Sequence, residues 1–175
     1  MKIAAGIILA SACALAAGCV SLGEMPDHKL ATATLHQANG APAGTAIITA
    51  TDDRVTLSIA IAGLPQGQHG MHLHTVGKCE APGFSSAGPH LNPHGVQHGT
   101  ANPAGSHLGD LPSITASSIG TGTLTAQLRG TRAEIEAALF DADGTAIVIH
   151  ADPDDNRTDP SGNSGARIAC GVLTR

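Results

Sequence analysis

Eight short segments rich in apolar residues recur along the chain, and turn-forming residues separate them. Segments of this length, spaced by glycine, proline and asparagine, are typical of antiparallel strands. Their number and their mostly short connections predict an all-β fold, an eight-stranded Greek-key β-barrel or sandwich of immunoglobulin-like architecture. The segments span residues 30–37, 44–51, 55–64, 68–75, 114–118, 122–128, 145–151 and 166–173.

Three stretches depart from the strand pattern. In residues 131–139, Thr131 is followed three residues later by Glu134, which is the capping-box signature of a short helix. Residues 76–113 and 151–165 show neither strand nor helix periodicity. Irregular segments of that length in a compact domain are usually functional. We therefore expect the functional groups in these two loops.

The first 18 residues have the composition of a secretion signal. Lys2 precedes an apolar run that is shorter than a membrane-spanning helix. The sequence LAAGC at residues 15–19 resembles a bacterial lipobox, which predicts a lipid on Cys19. Ordinary cleavage after the small-residue site at 14–16 is the alternative, and it leaves Cys19 as a free thiol. Either route takes the protein out of the cytoplasm.

These features divide the chain into a lipoprotein-type signal peptide at 1–18, a tether at 19–29 and one domain at 30–175. The predicted location is the periplasm, with membrane attachment through the lipid on Cys19. The formal charge is −5 and the sequence has no basic run, so a nucleic-acid partner is not expected. The sequence leaves the oligomeric state open, a homodimer included.

Cysteine usage fits an oxidising compartment. Cys13 lies in the leader and Cys19 at the processing site, which leaves Cys79 and Cys170 as a single pair. A disulfide is favoured over two buried free thiols. Because it would close a loop over most of the mature chain, the chain-entropy model gives a stabilisation of about 4–5 kcal/mol.

Potential metal ligands are concentrated where regular structure is not predicted. Residues 90–110 contain four histidines and one aspartate among glycines and prolines. A loop cannot hold such groups in place by itself, but a bound cation would organise it. His72 and His74 lie two residues apart in a strand-like segment, so their side chains point to the same face. His150 is close to the end of another predicted strand.

The ligand types suggest two metals. Four imidazoles without a thiolate suit Cu(II), whereas three imidazoles with one carboxylate suit a tetrahedral Zn(II) site. The available groups are one fewer than two four-coordinate sites need, and one imidazole that bridges both metals removes the shortfall. The candidates are His72, His74, His90, His98, His107, His150 and Asp110.

Six blocks of the sequence resemble, in order, the signature blocks of the copper/zinc superoxide dismutase family. They are HGMHLH (69–74), GPHLNP (88–93), QHG (97–99), SHLGDL (106–111), IVIHADPDD (147–155) and GNSGARIACGVL (162–173). The leader and the helix-like segment are most similar to the secreted bacterial branch. The resemblance implies an enzyme that converts two superoxide radicals and two protons into O2 and H2O2 by one-electron cycling of copper. Its expected role is antioxidant defence outside the cytoplasm.

The resemblance also implies a role for each matching residue. One copper per chain is expected on His72, His74, His90 and His150, and one zinc on His90, His98, His107 and Asp110, with His90 as the bridge. It further implies that Asp154 links the two sites through ligand imidazoles and that Cys79 pairs with Cys170. The two catalytic residues it implies are His90, which carries a proton, and Arg167, which guides superoxide.

Other charged and ring residues receive more modest roles. His69 is expected to be a structural, hydrogen-bonded histidine, and His94, His28 and His36 are expected to lie outside the site. Because the chain is acidic, attraction of an anion must be local. The further candidates for steering are Lys78, Arg132 and Arg157.

Three alternative functions predict different sets of residues. A metal carrier without turnover would be expected to lack the bridge, Asp154 or Arg167. A domain that has lost its metals would show erosion of the ligands, and a copper-only dismutase would lack the zinc set. All of these residues are present.

Overall fold

The computed structural model describes residues 28–175, in which nine β-strands, one short 3-10 turn and one α-helix occur. The leader, Cys19 and most of the tether lie outside the described residues. Within the described range, no helix is long and apolar enough to cross a membrane. The strands are β1 (His28–Gln37), β2 (Pro42–Thr51), β3 (Arg54–Ile61), β4 (Gly67–His69), β5 (Met71–His74), β6 (Ile114–Ala116), β7 (Gly122–Gln127), β8 (Ala146–His150) and β9 (Arg167–Val172), and the helix is α1 (Arg132–Leu139).

Seven strands form one curled antiparallel sheet in the order β5-β8-β9-β1-β2-β3-β7, and β4 pairs with β6. Pairs such as β3 with β7 and β5 with β8 are distant in sequence, as in Greek-key connections. The predicted all-β fold with one short helix is confirmed. β1 begins at His28, slightly before the predicted domain boundary.

The predicted strand at 68–75 is divided into β4 and β5 at Gly70. The amide of Gly70 donates to the carbonyl of Asp152 at 2.8 Å. A Cβ at Gly70 would lie 2.6 Å from Oγ of Ser164, so the close approach of this loop requires glycine. The break therefore brings the second predicted loop, 151–165, against the end of β5.

The helix α1 forms for the reason that its sequence indicates. Thr131 Oγ1 accepts a hydrogen bond from the Glu134 amide, and the Glu134 carboxylate accepts one from the Thr131 amide. Ile135 and Leu139 lie on its buried face. The helix thus adds apolar cover to the end of the sheet.

Aliphatic side chains fill the interior. In β2 and β3 buried residues alternate with exposed or half-buried ones, so one face of these strands packs inward. In β5 and β8 every residue is buried. Leu73 and Ile147 face the main core, whereas His72, His74 and His150 are buried under the loops. A disulfide between Cys79 and Cys170 ties the first loop to β9.

Candidate metal centre

Four imidazoles converge above the end of the β5–β8 ladder. β5 supplies His72 and His74, β8 supplies His150, and the first loop supplies His90. These residues offer ring nitrogens that all lie within 4.8 Å of one another. The loop is held against β5 by an isolated β-bridge between His74 and His90, and the Leu91 amide donates to the Leu73 carbonyl at 2.8 Å.

One nitrogen of each imidazole is buried and has no hydrogen-bond partner among residues 28–175. These atoms are Nδ1 of His72 and Nε2 of His74, His90 and His150. Buried polar atoms without a partner are rare, and each needs an explanation. A metal ion among the four nitrogens would satisfy all of them at once, and four imidazoles suit Cu(II).

In His74 and His150, the hydrogen bond made by the other ring nitrogen determines which nitrogen carries the hydrogen. His74 Nδ1 lies 2.8 Å from the Gly88 carbonyl oxygen, and His150 Nδ1 lies 3.2 Å from that of Gly165. Because a carbonyl oxygen only accepts, each Nδ1 carries the hydrogen and each Nε2 keeps its lone pair. The convergent atoms are therefore ready-made metal ligands.

A second set of ligands meets at one oxygen of Asp110. Its Oδ1 lies 3.1 Å from His90 Nδ1, 2.9 Å from His98 Nδ1 and 3.2 Å from His107 Nδ1. The edges of a tetrahedron with zinc–nitrogen distances near 2.0 Å are about 3.3 Å long. The three distances from Asp110 Oδ1 are therefore close to the edge length of a tetrahedral zinc site.

His90 belongs to both sets, with Nε2 among the first four nitrogens and Nδ1 facing Asp110. His72 is also within 4.8 Å of His90, His98 and Asp110. His72 belongs to the first set, because its Nε2 is hydrogen-bonded to Asp154 and its Nδ1 faces the other three imidazoles. His107 is not part of that 4.8 Å group and joins the second set through its contact with Asp110.

The other oxygen of Asp110 is occupied by the backbone. Oδ2 accepts hydrogen bonds from the amides of Gly99 at 2.9 Å and His107 at 3.0 Å. Burial opposes the charged form, but hydrogen bonds from His90 and His98 hold the pKa of Asp110 well below its usual range. Asp110 therefore remains an anion, as a metal ligand must.

Asp154 connects the two sets. Its Oδ2 accepts from His72 Nε2 at 2.8 Å, and its Oδ1 accepts from His98 Nε2 at 3.0 Å. A Cβ at Gly162 would overlap the Asp154 carboxylate, so this approach of the second loop requires glycine. The arrangement matches the linking role that the resemblance implies.

The histidines of the two sets have different electrostatic surroundings in the metal-free protein. Burial is the main cause that lowers the pKa of His74 to about 2, of His90 to about 4 and of His150 to about 3. For His98, burial acts in the same direction, but Asp110 and Asp154 outweigh it and raise the pKa to about 9. Zinc binding must therefore displace a proton from His98, and a His90 ring shared by both metals must also lose its Nδ1 hydrogen, whereas His74 and His150 are already neutral ligands.

Arg167 lies beside the first set. Its Nη1 donates to the Phe84 carbonyl and its Nη2 donates to the Gly88 carbonyl, both at 2.8 Å. The Phe84 ring is buried in a small apolar cluster that includes Cys170. After burial, the charge of Arg167 is among the causes that lower the pKa of His74 and His150. The guanidinium is thus a half-buried cation next to the candidate copper ligands.

The remaining predicted residues are placed elsewhere. The ring nitrogens of His69 lie 2.8 Å from the carbonyl oxygens of Pro65 and His150, an arrangement that fits a structural role. Arg132 pairs with Glu136 along α1 at 2.6 Å. Neither residue contributes a nitrogen to the two sets.

Sequence reasoning missed two residues that hold the second set. Asp159 Oδ1 accepts from the His98 amide at 2.6 Å. Arg129 Nη2 donates to the carbonyls of His107 and Asp110. Arg129 is a lone charge after β7 and Asp159 is one of several acidic residues in its loop, so no local pattern distinguishes either from a solvated surface charge.

Comparison with known proteins gives concordant results. Residues 42–173 match the family described as copper/zinc superoxide dismutase. The chain is 40% identical over 149 residues to "Superoxide dismutase [Cu-Zn]" of Caulobacter vibrioides, covering 82% of this chain and 84% of that protein. It is 38% identical over 148 residues to "Superoxide dismutase [Cu-Zn] 2" of Aquifex aeolicus, covering 82% and 85%.

Two solved structures have the same fold. A superoxide dismutase-like protein from Bacillus subtilis superposes with a TM-score of 0.75 at 34% identity, and the match covers 84% of this chain and 100% of that chain. The Cu/Zn superoxide dismutase from Brucella abortus superposes with a TM-score of 0.65 at 25% identity, covering 85% and 100%.

Proposed function

This chain belongs to the copper/zinc superoxide dismutase family and is a superoxide dismutase, and from that premise we propose which residues carry the activity. The proposed copper ligands are His72, His74, His90 and His150, and the proposed zinc ligands are His90, His98, His107 and Asp110. The observation that carries the proposal is the convergence of four buried, unpartnered imidazole nitrogens, one of them on a ring that also faces Asp110.

The two metals have different chemical roles. When bound, copper supplies the one-electron couple that dismutation requires, and zinc supplies a redox-inert positive charge. His90 is the residue positioned to hold and release a proton at Nε2, since that atom points into the copper set. Asp154 keeps His72 and His98 in fixed orientations through its two oxygens.

Arg167 attracts and positions the anion. The formal charge of the chain is −5, and removal of a leader that contains Lys2 makes it more negative. The body as a whole therefore repels superoxide at long range, so attraction must come from a cation near the metal. Its two backbone hydrogen bonds hold the Arg167 guanidinium at that place.

Metal analysis combined with a dismutation assay tests the proposed function. We expect the purified mature protein to contain one copper and one zinc per chain and to show cyanide-sensitive dismutation. Bound metals without turnover would indicate a carrier. Full copper loading with no bound zinc would contradict the proposed zinc ligands.

A substitution tests the role of Arg167. The change Arg167→Gln should slow turnover and flatten its dependence on ionic strength, because the local cation is lost while the metal ligands remain. Arg54→Gln removes the same charge from an exposed position at the start of β3 and is the matched control. Unchanged kinetics in fully metallated Arg167→Gln protein would contradict the guiding role.

We also propose that the protein acts in the periplasm and is anchored to a membrane by a lipid on Cys19. The apolar leader that ends in LAAGC supports this location, and a disulfide between Cys79 and Cys170 suits an oxidising compartment. In cells fed a labelled fatty acid, the wild type should carry label and sediment with membranes. Cys19→Ser should lose both properties. An unlabelled wild type would contradict the lipid anchor.

A further inference from the structure

Arg129 reaches from the barrel wall to the zinc loop, which we define as residues 98–110. Its Nη2 donates to the carbonyl oxygen of His107 at 2.8 Å and to that of Asp110 at 2.9 Å. These are the backbone carbonyls of two proposed zinc ligands. A single guanidinium nitrogen therefore contacts both ends of the turn that presents them.

This turn has few other means of satisfying its backbone. His107 and Asp110 are only 5% and 3% exposed. The Asp110 carboxylate accepts a hydrogen bond from the His107 amide. The Asp110 amide donates a long hydrogen bond, of 3.3 Å, to the His107 carbonyl. Because buried carbonyls need partners, the hydrogen bonds from Arg129 complete the set.

Arg129 is itself attached to a rigid element. It lies two residues after β7, which pairs with β3 along its whole length, and the intervening, buried Leu128 donates to the Val55 carbonyl at 2.9 Å. The zinc loop, in contrast, contains no helix or strand. The guanidinium therefore attaches the turn to a rigid part of the barrel wall.

We propose that Arg129 is a positioning residue of the zinc site, which sets its affinity and geometry by fixing the backbone of His107 and Asp110. The inference rests on the proposed zinc ligands. Changes to partners outside the ligand set commonly weaken metal binding 10- to 100-fold. An effect in this range is expected even though Arg129 does not contact the metal.

The first test measures zinc affinity by chelator competition in copper-free, disulfide-intact mature protein. Arg129→Ala should bind zinc at least about 10-fold more weakly than the wild type. Arg129→Lys should recover part of the loss, because an ammonium can donate to the same carbonyls. Arg132→Ala removes an equal charge three residues away, where the side chain pairs with Glu136, and should match the wild type.

The second test uses Co(II) in the zinc site, whose visible absorption reports ligand geometry. Arg129→Ala should change the position and intensity of the bands, and Arg132→Ala should not. Unchanged zinc affinity and an unchanged Co(II) spectrum in Arg129→Ala would overturn the inference. An equal loss of affinity in both variants would also overturn it, because that result would indicate a general charge effect.

The remaining outcomes separate this inference from its premise. If Arg129→Ala does not fold without metal, the folded Arg129→Lys protein decides, and wild-type affinity and spectrum there would overturn the inference. If the wild type binds no zinc, the proposed ligand set fails, and the inference fails with it. Wild-type zinc binding with no effect of Arg129 rejects the inference alone.

Discussion

The barrel wall has two halves, one around β2 and β3 and one around β5 and β8, that are buried by different means. In β2 and β3, small and aliphatic side chains such as Ala46, Ile48 and Leu57 point inward, and Thr45 and Ser58 point to solvent. In β5 and β8 both faces are buried, and the face away from the core carries imidazoles under a long loop. One half follows hydrophobic alternation, and the other is completed by polar groups.

This difference teaches what each half depends on. Apolar burial stabilises the β2–β3 half directly. Buried imidazoles and carboxylates cost free energy unless each has a partner. In the β5–β8 half these partners are loop residues such as Asp110 and Asp154 and, by our proposal, two metals. Removing them should therefore affect the site and its loops more than the β2–β3 half.

The largest effect is expected from His90→Ala. Because both sets lose a ligand, copper and zinc should be lost together and dismutation should fall at least about 100-fold, beyond the effect of changes outside the ligand set. The strands should persist, as measured by far-ultraviolet circular dichroism. His94→Ala, an exposed histidine of the same loop, is the control. Retention of both metals and activity in His90→Ala would contradict the proposed bridge.

The next largest effect is expected from removing the disulfide. Cys79 and Cys170 are separated by 91 residues. For a loop of that length the chain-entropy model predicts a loss of about 4–5 kcal/mol in the free energy of unfolding. Denaturant titration of metal-free Cys79→Ser/Cys170→Ser protein measures it. A loss below about 1 kcal/mol would mean that the closed loop contributes far less than this model predicts.

A change in the other half sharpens the comparison. Ile48 is fully buried in β2, so Ile48→Ala should lower the free energy of unfolding by about 2–5 kcal/mol. Copper and zinc content per folded molecule should stay at the wild-type value, since the metal sets lie on other strands. Loss of metal from folded Ile48→Ala protein would show that the two halves are not separable.

The smallest effect is a pH dependence of the metal-free protein. His74, His90 and His150 have lowered pKa values when folded, so below pH 6.5 the unfolded chain takes up protons that the folded chain does not. Stability should therefore fall as the pH is lowered from 6.5 toward 4.

The raised pKa of His98 acts in the opposite direction. The folded protein keeps this proton until about pH 9, so its contribution is complete below pH 6.5 and is lost as the pH rises through 9. Denaturant titrations of metal-free protein should therefore give a maximum near pH 6.5. Constant stability between pH 4 and 9 would contradict these shifts.

Much of this architecture was predictable because the decisive patterns are local. Alternation in β2 and β3, the capping box at Thr131 and the pair His72 and His74 are each readable within a few residues. Assigning each ligand to copper or to zinc required the family resemblance, since loop residues have no periodicity. Arg129 could not be predicted, because its contact with His107 joins residues 22 positions apart without any pattern.

The break of the strand at Gly70 was missed for a similar reason. The glycine is required by a contact with Ser164, which lies far away in the sequence. Alternation continues across the break, so residues 68–75 have the pattern of one strand. Patterns within a segment therefore predict elements, whereas contacts between loops decide where those elements bend.

The most direct test of the account is X-ray diffraction from crystals of the oxidised protein loaded with Cu(II) and Zn(II), with anomalous data collected at the copper and zinc absorption edges. We predict a copper ion bound to Nε2 of His90 and a zinc ion bound to Nδ1 of the same ring. A copper or zinc position that does not contact His90, or a single ion in place of two, would contradict the shared-imidazole site.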